Sequence, residues 1–84
     1  SSLLEFPCAF PVQAMGRSSG EFESVVTEIV VRHAELFGHE QVRARASGAG
    51  NFISVTITVN AQSRDQLDRI YQDLTDCEQV LMAL

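Results

Sequence analysis

Between Phe52 and Asn60 the chain alternates without a slip. Ile53, Val55, Ile57 and Val59 are apolar, and Ser54, Thr56, Thr58 and Asn60 are polar. A period of two puts the two sets on opposite faces of a strand, and β-branched side chains suit a pleated surface buried on one side. The segment predicts a strand in a sheet with one covered face. Such sheets are antiparallel, and the layer that covers them must be amphipathic.

The rest of the chain supplies both partners. Phe10 to Met15 alternates, with Phe10, Val12 and Ala14 on one side and Pro11, Gln13 and Met15 on the other. Proline cannot donate to a ladder, so regular pairing is expected to begin near Val12 or to carry a bulge at Pro11. Glu40 to Ser47 places Val42, Ala44 and Ala46 inward and Arg43, Arg45 and Ser47 outward. Gly48-Ala49-Gly50-Asn51 then reads as a hairpin connection to the central strand. Gln79 to Leu84 predicts a short last strand with Val80, Met82 and Leu84 on one face and Leu81 and Ala83 on the other.

Two helices fill the gaps. Ser18 with Glu21 has the capping-box form and opens a helix expected to run to about Leu36. Phe22, Val25, Val26, Ile29, Val30 and Phe37 make its apolar stripe, and Gly38 is its expected stop. Ser63 with Gln66 opens the second, which presents Leu67, Ile70, Tyr71 and Leu74 and ends at Asp76-Cys77-Glu78. The order β-α-β-β-α-β, joined by right-handed crossovers, predicts an α+β fold: a ferredoxin-like sandwich with sheet order 4-1-3-2 and both helices on one face. Its 84 residues make one domain, residues 1–84, in which residues 1–8 form an extended lead-in arm.

Composition narrows the function. The net charge of -5, with six arginines and no lysine, argues against a protein that tracks nucleic-acid phosphates. No apolar run approaches the ~20 residues of a membrane span. The chain opens on Ser1-Ser2 without Met, which suggests a trimmed or replaced start. Cys8 and Cys77 are too few and too far apart for a metal knuckle. They precede antiparallel neighbouring strands, so their Cα atoms should lie at opposite ends, much farther apart than the ~7 Å a disulfide allows. Free thiols fit the cytoplasm. A catalytic reading would need His33 beside Cys8 together with an oxyanion hole, and no motif supplies the second. Asp65, Asp68 and Asp73 read as a solvated helix face. No catalytic residue, metal site or cofactor is expected, and the chain is read as a non-enzyme.

Several segments together resemble a known family. Leu3-Leu4-Glu5-Phe6-Pro7, Met15-Gly16, Arg32-His33-Ala34, Gly50-Asn51-Phe52, the run Ser54-Val55-Thr56-Ile57-Thr58-Val59-Asn60-Ala61, and the ending Met82-Ala83-Leu84 are similar to the YbeD family of small bacterial proteins. The resemblance covers essentially the whole chain, and its motifs are structural. It implies a ferredoxin-like fold related to the ACT regulatory domains of amino-acid metabolism. It also implies a bacterial cytosolic role in regulation or ligand sensing, with a link to lipoate attachment through neighbouring genes. No catalytic residues carry over.

Two places are candidate sites. Gly16, Arg17, Ser18 and Ser19 lead from a strand end to a helix start, where free N–H groups and an arginine fork would suit a small anionic metabolite. ACT domains bind amino acids near this loop, often at a dimer interface, so the resemblance also implies a homodimer as one assembly. Glu21 and Glu23 oppose an anion there. The second place is the sheet face away from the helices, where Met15, Arg43, Arg45 and Leu81 would meet a protein partner. That face lacks the central aromatics of RNA-binding sheets, so no nucleic acid is expected. The alternative to ligand sensing is a protein–protein interaction module without a small molecule.

Overall fold

A computed structural model describes residues 4–84. Of the lead-in arm, Ser1, Ser2 and Leu3 lie outside the described residues, Leu4 is partly exposed, and Phe6 packs against the core. The elements are β1 (Cys8–Arg17), α1 (Phe22–Val31), β2 (Val42–Ser47), β3 (Phe52–Ala61), α2 (Arg64–Asp76) and β4 (Met82–Ala83). They form one antiparallel sheet of order β2-β3-β1-β4, the predicted 4-1-3-2 in reverse. Both helices pack against the same face.

The central pair carries the core. β1 and β3 pair over ten residues, from Cys8 opposite Ala61 to Arg17 opposite Phe52. Val12 and Ala14 from β1, and Val55, Ile57 and Val59 from β3, are sealed under Phe22, Val26, Ile29 and Val30 of α1 and Leu67, Ile70 and Leu74 of α2. Ile53, expected to be buried with them, is only half-buried near the start of the strand. Pro11 is tolerated for a geometric reason. It lies opposite Thr58, whose own N–H and C=O bond Gln41 and Phe37 on the other side of β3. Pro11 therefore belongs to a non-hydrogen-bonded pair, and its missing donor faces the β4 side, where pairing reaches only to Gln13. No bulge forms there.

Three expectations are corrected. The first concerns α1, which ends at Val31 rather than near Leu36. Residues 35–37 extend along β3 instead: Leu36 bridges Val59, and Phe37 N–H donates to Thr58 O at 2.9 Å. Continuing the helix would leave that stretch of the β3 edge unpaired. Phe37 is consequently half-exposed, and Gly38, with φ +92°, turns the chain into β2 rather than stopping a helix. The second concerns capping. Glu21 is the N-cap of α1 and makes no side-chain cap, while Ser18 N–H bonds Asn51 O at 2.9 Å as part of the ladder. Ser63 does cap α2, accepting from Gln66 N–H at 3.1 Å. Gln66 in turn accepts from Gln62 N–H at 2.6 Å and donates to His33 O at 2.8 Å, tying the start of α2 to the end of α1.

The third correction concerns β4, whose faces are inverted. Leu81 N–H donates to Met15 O at 2.8 Å, yet Met82 is the residue opposite Met15 and Leu84 exchanges both bonds with Gln13. Two residues thus share one partner, as in a β-bulge, and the alternation shifts by one. Ala83 packs inward, while Met82 and Leu84 lie on the exposed face.

Candidate functional site

The four residues of the expected anion loop do not converge. Gly16 is buried, and a Cβ there would lie 2.4 Å from the Phe22 ring and 2.4 Å from the Gln79 carbonyl oxygen. The glycine is needed so that α1 and the approach to β4 can close on β1. Arg17, one residue on, points to the opposite face, its guanidinium carbon 5.9 Å from the centre of the Phe52 ring. Ser18 and Ser19 are exposed, and Ser19 Oγ accepts from Glu21 N–H at 3.3 Å.

What the fold does bring together is the open face of the sheet. Cross-strand register aligns two rows of side chains. One runs Arg43, Thr56, Gln13, Leu84, and the other runs Arg45, Ser54, Met15, Met82. Each row is cationic on β2, hydroxylic on β3 and apolar beyond β1. Gln13 Nε2 donates to Ser54 Oγ at 2.9 Å and joins the two rows. Gln13, Ser54, Thr56, Arg43 and Arg45 line a shallow open depression of about 470 Å³. Glu40 Oε2 lies 3.9 Å from Arg43 Nη1. Among the described residues none lies within ion-pair distance of Arg45. Three of the six arginines thus face one side of an acidic protein. The sequence already placed Met15, Arg43 and Arg45 on this face. It assigned Arg17 to the loop and missed Met82 and Leu84, because ladder extension and a bulge leave no mark in a short pattern. Leu81, at the bulge, is exposed beside them.

The imidazole of His33 lies between the helices, away from this face. Its Nε2 is 2.6 Å from Asp73 Oδ2, and among the described residues no hydroxyl or thiol bonds the ring. Cys8 and Cys77 are free and half-buried. Among the described residues no group of three or more metal-ligating side chains occurs, and no helix is long and apolar enough to cross a membrane.

Comparison with known proteins follows the whole chain. The family described as "Protein of unknown function (DUF493)" matches residues 1–84. A UPF0250 protein of Chromobacterium violaceum is 45% identical over 82 residues, covering 98% of this chain and 92% of its own. Another from Leptothrix cholodnii is 42% identical over 83 residues, covering 99% and 91% respectively. The solution structure of protein HP0495 from H. pylori superposes with a TM-score of 0.74 over 100% of this chain and 88% of that one. At 12% identity this is a likeness of fold alone.

Proposed function

The chain belongs to the DUF493 family of bacterial proteins, the YbeD-like family to which its motifs point, and on that premise we propose that it is a non-enzymatic regulatory binding domain. It works in the manner of ACT domains, and its ligand is an anionic small molecule with an apolar tail held on the open sheet face. The observation that carries this reading is the pair of rows from arginine to apolar side chain. A carboxylate suits the fork of Arg43 or Arg45, and hydroxyls lie next along each row. Three strand spacings separate the row ends by about 14 Å, room for an acid of roughly eight carbons. Octanoyl and lipoyl compounds have that form, in line with the link to lipoate metabolism that the family resemblance implies. Two free thiols suit a reducing cytoplasm.

Thermal-shift titration with octanoate, lipoate and free amino acids tests the reading. A ligand of the native state at a hundred times its Kd stabilises by about 2.7 kcal/mol. Octanoate or lipoate should raise the midpoint of the wild type and leave the double variant Arg43→Ala, Arg45→Ala nearly unmoved. A wild type that responds to none of these carboxylates sinks the ligand reading.

A second reading is a protein-interaction module without a ligand. Leu81, Met82 and Leu84, each more than half exposed along one rim of the same face, favour it. A protein partner retained by the wild type and lost in Met82→Asp supports this reading, provided the carboxylates give no shift.

A further inference from the structure

The register of β2 leaves its outer edge open. Thr58 N–H bonds Gln41 O at 2.9 Å, so Gln41, Arg43, Arg45 and Ser47 turn their main-chain groups toward β3. Val42, Ala44 and Ala46 must then direct theirs outward, and β2 is the terminal strand of the sheet. Among the described residues no segment pairs with that edge. On the helix side, Ala44 and Ala46 are exposed, and a groove of about 580 Å³ lies between Val42 and Glu23, Ser24, Thr27 and Glu28 of α1. On the other side stand Arg43 and Arg45.

We propose that this edge binds an extended acidic peptide segment of a partner protein, which adds to the sheet as a fifth strand beside β2. Main-chain bonds from Val42, Ala44 and Ala46 would hold it. Its alternate residues would be carboxylates over Arg43 and Arg45, and the residues between them uncharged over the alanines and the groove. Charge decides the occupant. A second copy pairing β2 with β2 antiparallel would set Arg43 and Arg45 against the same arginines of its partner, and like charges directly opposite destabilise a strand pair. A basic segment is repelled likewise. A nucleic acid offers phosphates but no alternating N–H and C=O groups to match the edge. The inference shares two arginines with the reading of the sheet face but occupies a different surface, and its main-chain component can be removed separately.

Ala44→Pro makes that separation. The N–H it deletes points outward, where an edge strand tolerates proline. Binding is measured by fluorescence anisotropy with an eight-residue peptide alternating Glu and Val, against one alternating Lys and Val and a single-stranded oligonucleotide. Wild type should bind the Glu peptide at least tenfold more tightly than the Lys peptide or the oligonucleotide. Ala44→Pro should lose at least tenfold toward the Glu peptide and still show any thermal shift that octanoate gives the wild type. The double reversal Arg43→Glu, Arg45→Glu should prefer the Lys peptide, and it carries the test if the proline variant does not fold. Equal binding of the Glu peptide by folded Ala44→Pro overturns the inference, because contact would then be through the sheet face. So does equal or tighter binding of the oligonucleotide, or a wild-type dimer that Ala44→Pro dissociates.

Discussion

Val55 and Ala44 stand opposite each other on adjacent strands and point to the same side of the sheet, yet Val55 is sealed from water and Ala44 is open to it. The difference lies in what covers them. Val55 sits beneath the helices, whose buried side chains close over β1 and β3. β2 overhangs that layer, and of its inward-pointing residues only Val42 packs against the core. The sheet is thus a packed centre with two differently exposed margins: an edge of arginine and alanine at β2 and a short apolar rim at β4. Strand alternation says which side a residue faces, and the reach of the helices decides whether that side is an interior.

This contrast is broken most directly by placing the same charge at both positions. Val55→Asp should unfold the domain. An unpaired buried carboxylate costs about 4 kcal/mol or more, a large part of the roughly 4–12 kcal/mol expected for a domain of this length. Ala44→Asp should cost less than about 1 kcal/mol. Urea denaturation measures both, and an Ala44→Asp protein as damaged as Val55→Asp would mean that the helix layer reaches over β2.

A smaller effect sharpens the same contrast at the helix starts. Ser63→Ala removes the cap of α2 and should lower stability by about 1 kcal/mol. Ser18→Ala should change it by no more than about 0.5 kcal/mol, since that side chain caps nothing and is exposed. A Ser18→Ala loss matching that of Ser63→Ala would restore the capping box at α1.

The smallest effect belongs to the β4 margin. The Tyr71 hydroxyl donates to the main-chain oxygen of Leu84, and burial pushes its pKa above the ordinary value. The unfolded chain then loses this proton at lower pH than the native one. Its contribution is complete below about pH 10 and is lost as pH rises through the native pKa. The chain holds one tyrosine and no lysine, so few other groups titrate there. The alkaline fall in stability should be shallower in Tyr71→Phe, as followed by chemical denaturation between pH 9 and 11. An unchanged slope would mean that the phenol titrates as it does in the unfolded chain.

How much could be read from the chain follows the same division. The eight-residue comb from Ile53 to Asn60 and the capping pattern at Ser63 carry enough signal to place the centre of the fold and the start of α2. The end of α1 does not, because the gain from pairing Leu36 with Val59 is a long-range contact. β4 fails for another reason: six alternating residues offer two equally good phases, and a single shared partner at Met15 selects between them. The candidate face was legible as far as Met15, Arg43 and Arg45. Arg17 reads as part of a loop because Gly16, Arg17, Ser18 and Ser19 look like a turn from a strand end to a helix start, whereas β1 runs on through Arg17 and the missing side chain of Gly16 makes room for Phe22.

Half of the arginines stand on the sheet and half among the carboxylates of the helix layer, and this uneven placement changes what the overall charge of the protein means. Glu23, Glu28, Asp65 and Asp68 are exposed on the helix layer, and Arg17, Arg43 and Arg45 on the sheet. The domain measures 23 Å across its thinnest direction. At physiological ionic strength the field of a charge decays over about 8 Å, so an ion approaching the sheet feels the arginines and little of the acids behind them. At 0.01 M salt the decay length is about 30 Å, longer than the domain is thick, and the same ion meets a molecule of charge -5. Anion association should therefore pass through a maximum as salt is raised: weak in dilute buffer, strongest where the far face is screened and the near one is not, and weak again in concentrated salt.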